Sequence, residues 1–274
     1  MALYVILFII GTCFGSFLNV LVDRLPNDEG IGGRSRCDSC KRTLSWFELF
    51  PIVSFLILQA KCRTCRTPLS WYYPGVELMT GVSFVLAWHH FPLHYFLNLY
   101  PNLSPYLPDP FSWQLIAAKI LFLGIVCCLI VMLFADLKYF IIPDAAQAAF
   151  AVFALGLFFV GDFDPKLVVY RLGAAVVVMA PMLLLHVLSR GRGLGFGDVK
   201  LAANLGLFMG VVYGFASLYF AFIIGALVGG VLLLVHKAKM KTKVPFGPFI
   251  LLGMLISIFG YNAIARFLMM NYGF

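Results

Sequence analysis

The stretch from Val199 to Val235 is apolar almost without interruption. Built as one helix it would be about 55 Å long at 1.5 Å per residue, against roughly 30 Å of hydrocarbon in a bilayer. Both of its flanks are basic: Arg190 and Arg192 on one side, Lys237, Lys239, Lys241 and Lys243 on the other. Basic clusters beside apolar runs mark cytoplasmic loops, so both ends lie on the same side. The run must therefore cross twice, and the glycine in Tyr213-Gly214 predicts the break there. A chain that contains such a segment and is 62% hydrophobic and 12% charged over 274 residues is a polytopic membrane protein, not a soluble domain.

The other runs follow the same logic. Ala2 to Val22 is long enough to span, and no basic residue precedes its apolar stretch, so a cleaved signal peptide is disfavoured. The basic residues come after it, which places the N-terminus outside. Trp71 to Phe91 is a second span and carries Glu77. Residues 92–113 lack Lys and Arg and hold five prolines, an external loop with an interfacial cluster at His89, His90 and His94. Gln114 to Phe134 returns inward, and Asp136 and Lys138 read as a very short inner turn. Pro143 opens a fourth span ending near Gly161, Leu167 to Leu188 is a fifth, and Phe246 to Met269 is the last. The expectation is an all-α fold of about eight transmembrane helices. Residues 1–100 would form an N-terminal region with the first two helices and a cytoplasmic loop over 24–70. Residues 110–274 would form a six-helix domain. The formal charge of +8 is no nucleic-acid signal, because it gathers in the inner loops: eight of the 20 Lys/Arg lie between Arg24 and Arg66.

That inner loop repeats itself. Cys37-Asp38-Ser39-Cys40-Lys41-Arg42-Thr43-Leu44-Ser45-Trp46 is echoed 25 residues on by Cys62-Arg63-Thr64-Cys65-Arg66-Thr67-Pro68-Leu69-Ser70-Trp71. Cytoplasmic thiols stay reduced, and two equivalent CxxC knuckles supply four thiolates for a tetrahedral structural zinc site of zinc-ribbon type. A redox pair would not need two copies. Between the knuckles, Leu49 to Leu58 is apolar but too short to span and is expected on the membrane surface or against the first helices. Cys13, Cys127 and Cys128 read as core residues.

The eight-helix parity puts two carboxylates on one inner face, 62 residues apart in sequence: Asp198, in Gly195-Phe196-Gly197-Asp198, and Asp136, in Asp136-Leu137-Lys138-Tyr139-Phe140-Ile141-Ile142-Pro143-Asp144. Ionisable groups at such positions are costly and are usually functional. Two carboxyl groups that share a site can divide the work of peptide hydrolysis, one activating water and the other protonating the carbonyl oxygen. On the residues alone Asp144 competes with Asp136 for this role. Either could merely cap a helix. A proton-coupled transporter and a zinc-ribbon scaffold also stay open.

These motifs together resemble the GxGD membrane aspartyl proteases, and within them the type IV prepilin peptidase family. Gly15-Ser16-Phe17-Leu18-Asn19-Val20 with Arg24-Leu25-Pro26, the twin CxxC loop, Glu77-Leu78-Met79-Thr80-Gly81 and Lys243-Val244-Pro245-Phe246-Gly247-Pro248 are all similar to segments of that family. The resemblance implies Asp136 and Asp198 as the catalytic pair, and Cys37, Cys40, Cys62 and Cys65 as the zinc ligands. It implies prepilins and pseudopilins as substrates, cut at the cytoplasmic face of the bacterial inner membrane. It also implies S-adenosylmethionine as donor for N-methylation of the new terminus, unless the chain is a peptidase that lacks that second activity. No glycine-rich loop of Rossmann type marks the donor's site, and Glu77 and the basic loop are only candidates. Asp28, Glu29, Asp38 and Glu48 are acidic groups that could pair with a basic leader.

Overall fold

The computed structural model describes residues 2–37, 39–89, 112–191, 193–235, 244–261 and 263–266. His90, His94, Asp38, Arg192 and the lysines of 237–243 lie outside these. Among the described residues the fold is helical throughout, apart from isolated bridges Arg36–Thr43 and Lys61–Pro68. Helix α1 (Ala2–Arg24) leads into the cysteine loop, whose described helical pieces are 3-10 turns at Leu25–Asn27 and Trp46–Leu49 and the short α2 (Val53–Ile57). Then come α3 (Tyr72–His89), α4 (Trp113–Tyr139), α5 (Asp144–Gly156), α6 (Pro165–Leu188), α7 (Phe196–Leu234) and α8 (Gly247–Phe259). Of these α1, α4, α6 and α7 are long and apolar enough to cross a membrane. Large apolar side chains such as Val169, Leu184 and Leu227 face outward, while Gln147, Arg171, Asn204, Ser217 and Ser257 are buried. That inversion suits a lipid surround, where polar groups must find partners inside the bundle.

Helices α1 and α3 cross through small residues. A Cβ on Gly11 would lie 2.8 Å from the Gly81 backbone, and one on Gly15 would lie 2.7 Å from Glu77 Cα. Gly11 and Gly15 are four residues apart on one face, the spacing that lets membrane helices approach closely. Helix α4 packs on both α1 and α3, and its core residues Phe122, Ile125 and Met132 are continuous with those of α5 and α7.

The long apolar run folds back on itself, as its length requires, but the reversal comes at Gly210, not at Tyr213-Gly214. Gly210 has φ 77° and ψ −176°. Beyond it Ser217 Oγ reaches Met209 Sδ at 3.3 Å, and a Cβ on Gly214 would lie 3.5 Å from Gly206 Cα. Residues eight apart on a straight helix are separated by about 12 Å, so α7 is a tight hairpin of two arms. The run holds six glycines, and Arg171 of α6 packs at Gly210. Its buried guanidinium donates from Nη1 to the Phe208 carbonyl at 3.3 Å, and Nη1 would lie 2.9 Å from a Cβ on Gly210. Only glycine tolerates both that backbone angle and that neighbour. With the two arms counted separately and the short α2 set aside, the described residues hold eight apolar helical segments, the number expected.

Two helices differ from expectation. Helix α4 continues past Phe134 to Tyr139, so Asp136 and Lys138 belong to its last turn and the reversal falls on Phe140, which caps the helix at φ 56°. The extension is held by side chains: Lys138 Nζ donates to Asp23 Oδ1 at 2.6 Å, and Asp23 also accepts from Tyr139 and Tyr73 hydroxyls. Helix α8 is interrupted after Phe259, at Gly260, and residues 261 and 263–266 are again helical; the expected end at Met269 lies outside the described residues.

Candidate active site

Asp136 is in the last turn of α4 and is 5% exposed. Its Oδ2 accepts from the Gly247 N–H at 2.9 Å, the first amide of α8. Asp198 is in the first turn of α7 and is also buried, and its Oδ2 accepts from the Gly195 N–H at 3.2 Å. Each carboxylate therefore sits at a helix N-terminus, where free N–H groups and the helix dipole favour negative charge. Ile142 joins the two. A Cβ on Gly197 would lie 3.2 Å from Ile142 Cβ, and a Cβ on Gly247 would lie 3.2 Å from Ile142 Cδ1 and 2.6 Å from Asp136 Oδ2. The glycines bring two helix starts against one isoleucine. The carboxylates end up close enough for the charge on Asp136 to act on Asp198.

The supporting shell is polar and buried. Gln147 Nε2 of α5 donates to the Gly197 carbonyl at 3.1 Å, and Asn204 Nδ2 donates to the Gln147 carbonyl at 3.2 Å. His186 Nδ1 donates to the Leu194 carbonyl at 2.8 Å and holds the glycine loop that enters α7. Asp144 stands apart. Its side chain is 73% exposed and takes Lys200 Nζ on both oxygens at 2.7 Å. Gly247, Ile142, Gln147 and Lys200 were not singled out as site residues from the sequence. The proline-glycine-proline spacing at 245–248 was the one available signal, since Pro248 near a helix start leaves the Gly247 amide pointing outward.

The four cysteines Cys37, Cys40, Cys62 and Cys65 converge, with all Sγ atoms within 4.8 Å of one another. Cys37 and Cys65 sulfurs are 3.8 Å apart, the separation that bonds of about 2.3 Å give at a tetrahedral zinc. The Thr67 hydroxyl and backbone N–H pull the Cys65 thiol down to about 6, toward the thiolate a metal needs. The donor set fits zinc in a structural role, tying the knuckles together. Glu48, an expected partner for a leader, is already committed. Burial alone would raise its carboxyl, but the Ser45 N–H and the Arg42 guanidinium outweigh that and hold it below its ordinary value. Phe55 of α2 packs edge-on to Trp71 at 4.9 Å, and Ile52 N–H donates to Glu77 Oε2 at 2.7 Å. The apolar stretch between the knuckles is thus docked on α3. Tyr4 OH contacts His89 Nδ1 at 2.7 Å.

The model for the bacterial peptidase A24 N-terminal domain matches residues 9–91, and that for the type IV leader peptidase family matches residues 123–234. Three relatives are each named prepilin leader peptidase/N-methyltransferase. The protein of Bacillus subtilis strain 168 is 30% identical over 270 residues, covering 98% of this chain and 99% of the relative. That of Myxococcus xanthus strain DK1622 is 33% identical over 237 residues, covering 84% of this chain and 63% of its own length. That of Aeromonas hydrophila is 28% identical over 302 residues, covering 97% and 94%. No solved structure matches the chain significantly. The full-length similarity and the two matched models, lying over a helical bundle that brings the GxGD aspartate to a second carboxylate, make this chain a member of the type IV leader peptidase family.

Proposed function

We propose that the chain is an aspartyl endopeptidase of the bacterial inner membrane that removes the leader of type IV prepilins and pseudopilins at the cytoplasmic face and N-methylates the new terminus. The observation that carries the peptidase reading is the pairing of Asp136 and Asp198 at two adjoining helix starts around Ile142. In this reading one carboxylate takes a proton from water as its oxygen attacks the scissile carbonyl carbon. The other, protonated, donates to the carbonyl oxygen. The tetrahedral carbon then expels the amine, which leaves with a proton, so the leader ends in a carboxylate and the mature chain begins with a free amino group. Asp144 is salt-bridged in the open and serves no part of this. The cytoplasmic assignment is supported by the basic loop, since Lys138 at the dyad's end of α4 binds Asp23 at the loop's start. S-adenosylmethionine would supply the methyl group for the second activity.

We further infer that residues 1–100 with the zinc knuckles form the N-terminal region and 110–274 the peptidase, a division supported by the two separate family matches. The test uses protein purified in detergent with a prepilin, following leader removal. Asp136→Asn and Asp198→Asn should each slow cleavage by about 10²–10⁴-fold while the protein stays folded. Full activity in either variant refutes the dyad. A wild-type chain that leaves prepilin whole would return the pair to an ion pathway or a structural role.

A further inference from the structure

A cavity of about 760 Å³ lies between the cysteine loop and the ends of α1, α3 and α4, within the size range of small-molecule sites. Its buried lining is acceptor-rich. Glu77 is 8% exposed, and its carboxylate takes a hydrogen bond from the Ile52 N–H. No cation forms a salt bridge with it among the described residues. Asn19 is 6% exposed; its Nδ2 donates to the Tyr73 carbonyl, while its Oδ1 has no partner. A buried carboxyl group lacking a counter-cation, beside an orphaned amide oxygen, stays ionised only at a cost, which a ligand bringing positive charge and a donor would offset. The exposed lining is mostly basic, with Arg34, Arg36 and Lys41 beside one acid, Glu29.

We propose that this cavity binds S-adenosylmethionine, with Glu77 and Asn19 facing its cationic sulfonium and ammonium end. The ligand's carboxylate falls toward the basic outer groups. The assignment rests on the reading of the chain as a methyltransferase as well as a peptidase. It also explains how one substrate end could be served twice. Lys138 and Tyr139 line the cavity and follow Asp136 within the same helical turn, so the amino group freed at the dyad has a short path to the donor.

The test is direct binding to the purified full chain. Wild type should bind S-adenosylmethionine more tightly than S-adenosylhomocysteine, whose sulfur is neutral. Glu77→Gln keeps an acceptor for the Ile52 N–H and removes only the charge. It should weaken S-adenosylmethionine by about tenfold or more and leave S-adenosylhomocysteine nearly unchanged. Ultraviolet cross-linking of wild type with methyl-tritiated donor needs no variant, and the label should map to peptides holding Ser16–Arg24 or Tyr73–Glu77. Equal donor affinity in Glu77→Gln, or label confined to the region of α5–α8, overturns the site while leaving the methyltransferase reading intact. Glu77→Gln losing affinity for a synthetic basic leader peptide but not for the donor overturns it in favour of the substrate. A wild-type chain that cleaves prepilin yet binds neither adenosyl compound removes the methyltransferase reading and the site with it.

Discussion

Replacing Gly247 by alanine puts a methyl carbon 2.6 Å from Asp136 Oδ2 and 3.2 Å from Ile142 Cδ1. Restoring ordinary contact, about 3.4 Å, takes a shift of about 0.8 Å. The helix start cannot retreat freely, because Ile250, Met254 and Ser257 on α8 are buried against the bundle. The carboxylate therefore moves and its 2.9 Å hydrogen bond from the Gly247 N–H is strained or lost. A bond to a charged acceptor contributes about 1.5–3 kcal/mol, and a 1 Å misplacement at a reacting centre can cost about 10²-fold. Gly247→Ala should thus lower kcat for leader cleavage by about 10²-fold with little change in KM. Gly229→Ala is the matched control: nothing lies within 4 Å of a Cβ there, so it should cleave within about twofold of wild type. Steady-state cleavage of a prepilin in detergent reads both. A Gly247→Ala enzyme as fast as the control would mean that Asp136 is not held by the start of α8, and the geometry assigned to the dyad would be wrong.

Asp144→Asn should retain leader cleavage within about twofold, since an exposed ion pair contributes roughly 0–1 kcal/mol; a loss comparable to that of Asp136→Asn would move the pair to Asp144. Gly210→Ala, at φ 77° and against Arg171 Nη1, should destabilise the bundle by about 1–3 kcal/mol, read as a lowered thermal midpoint in detergent; an unchanged midpoint would show that the hairpin turn is not strained. In the knuckle loop, Glu48 is held below its ordinary value of 4.5, so its contribution is complete above about pH 4.5 and fades as pH falls and it takes a proton. Hydrogen exchange at Ser45 and Glu48, normalised for intrinsic rate, should quicken on acidification, and Glu48→Gln should already exchange fast at neutral pH. Equal protection in both proteins would refute the role of that pair.

Charge placement and run lengths were enough to fold the long apolar segment into two passes and to bring Asp136 and Asp198 to one end, because membrane thickness and loop charge are properties of local sequence. The knuckle repeat was equally plain, since its ligands lie within short spacings. What stayed hidden depended on partners distant in sequence. Hydropathy stops at Phe134, yet α4 runs on because Asp23 takes up Lys138 and the Gly247 amide takes up Asp136. The turn falls at Gly210, against Arg171, some 40 residues earlier. From residue types alone Asp144 stayed a rival to Asp136. Burial against Gly247 and exposure beside Lys200 separate them.

Two of the helices that frame the dyad are short. Helix α5 has 13 residues, about 20 Å at 1.5 Å per residue, before a three-residue 3-10 turn at Leu157–Phe159, and the first arm of α7, over 196–209, is about as long. The hydrocarbon they traverse is roughly 30 Å thick, whereas α1 and α4, at 23 and 27 residues, match or exceed it. On that side of the bundle lipid must thin or water must dip inward to meet the helix ends. The molecule thereby carves a sunken, wet notch into the leaflet, and a chain anchored in the bilayer by its own apolar helix could be reached there without being pulled out of it.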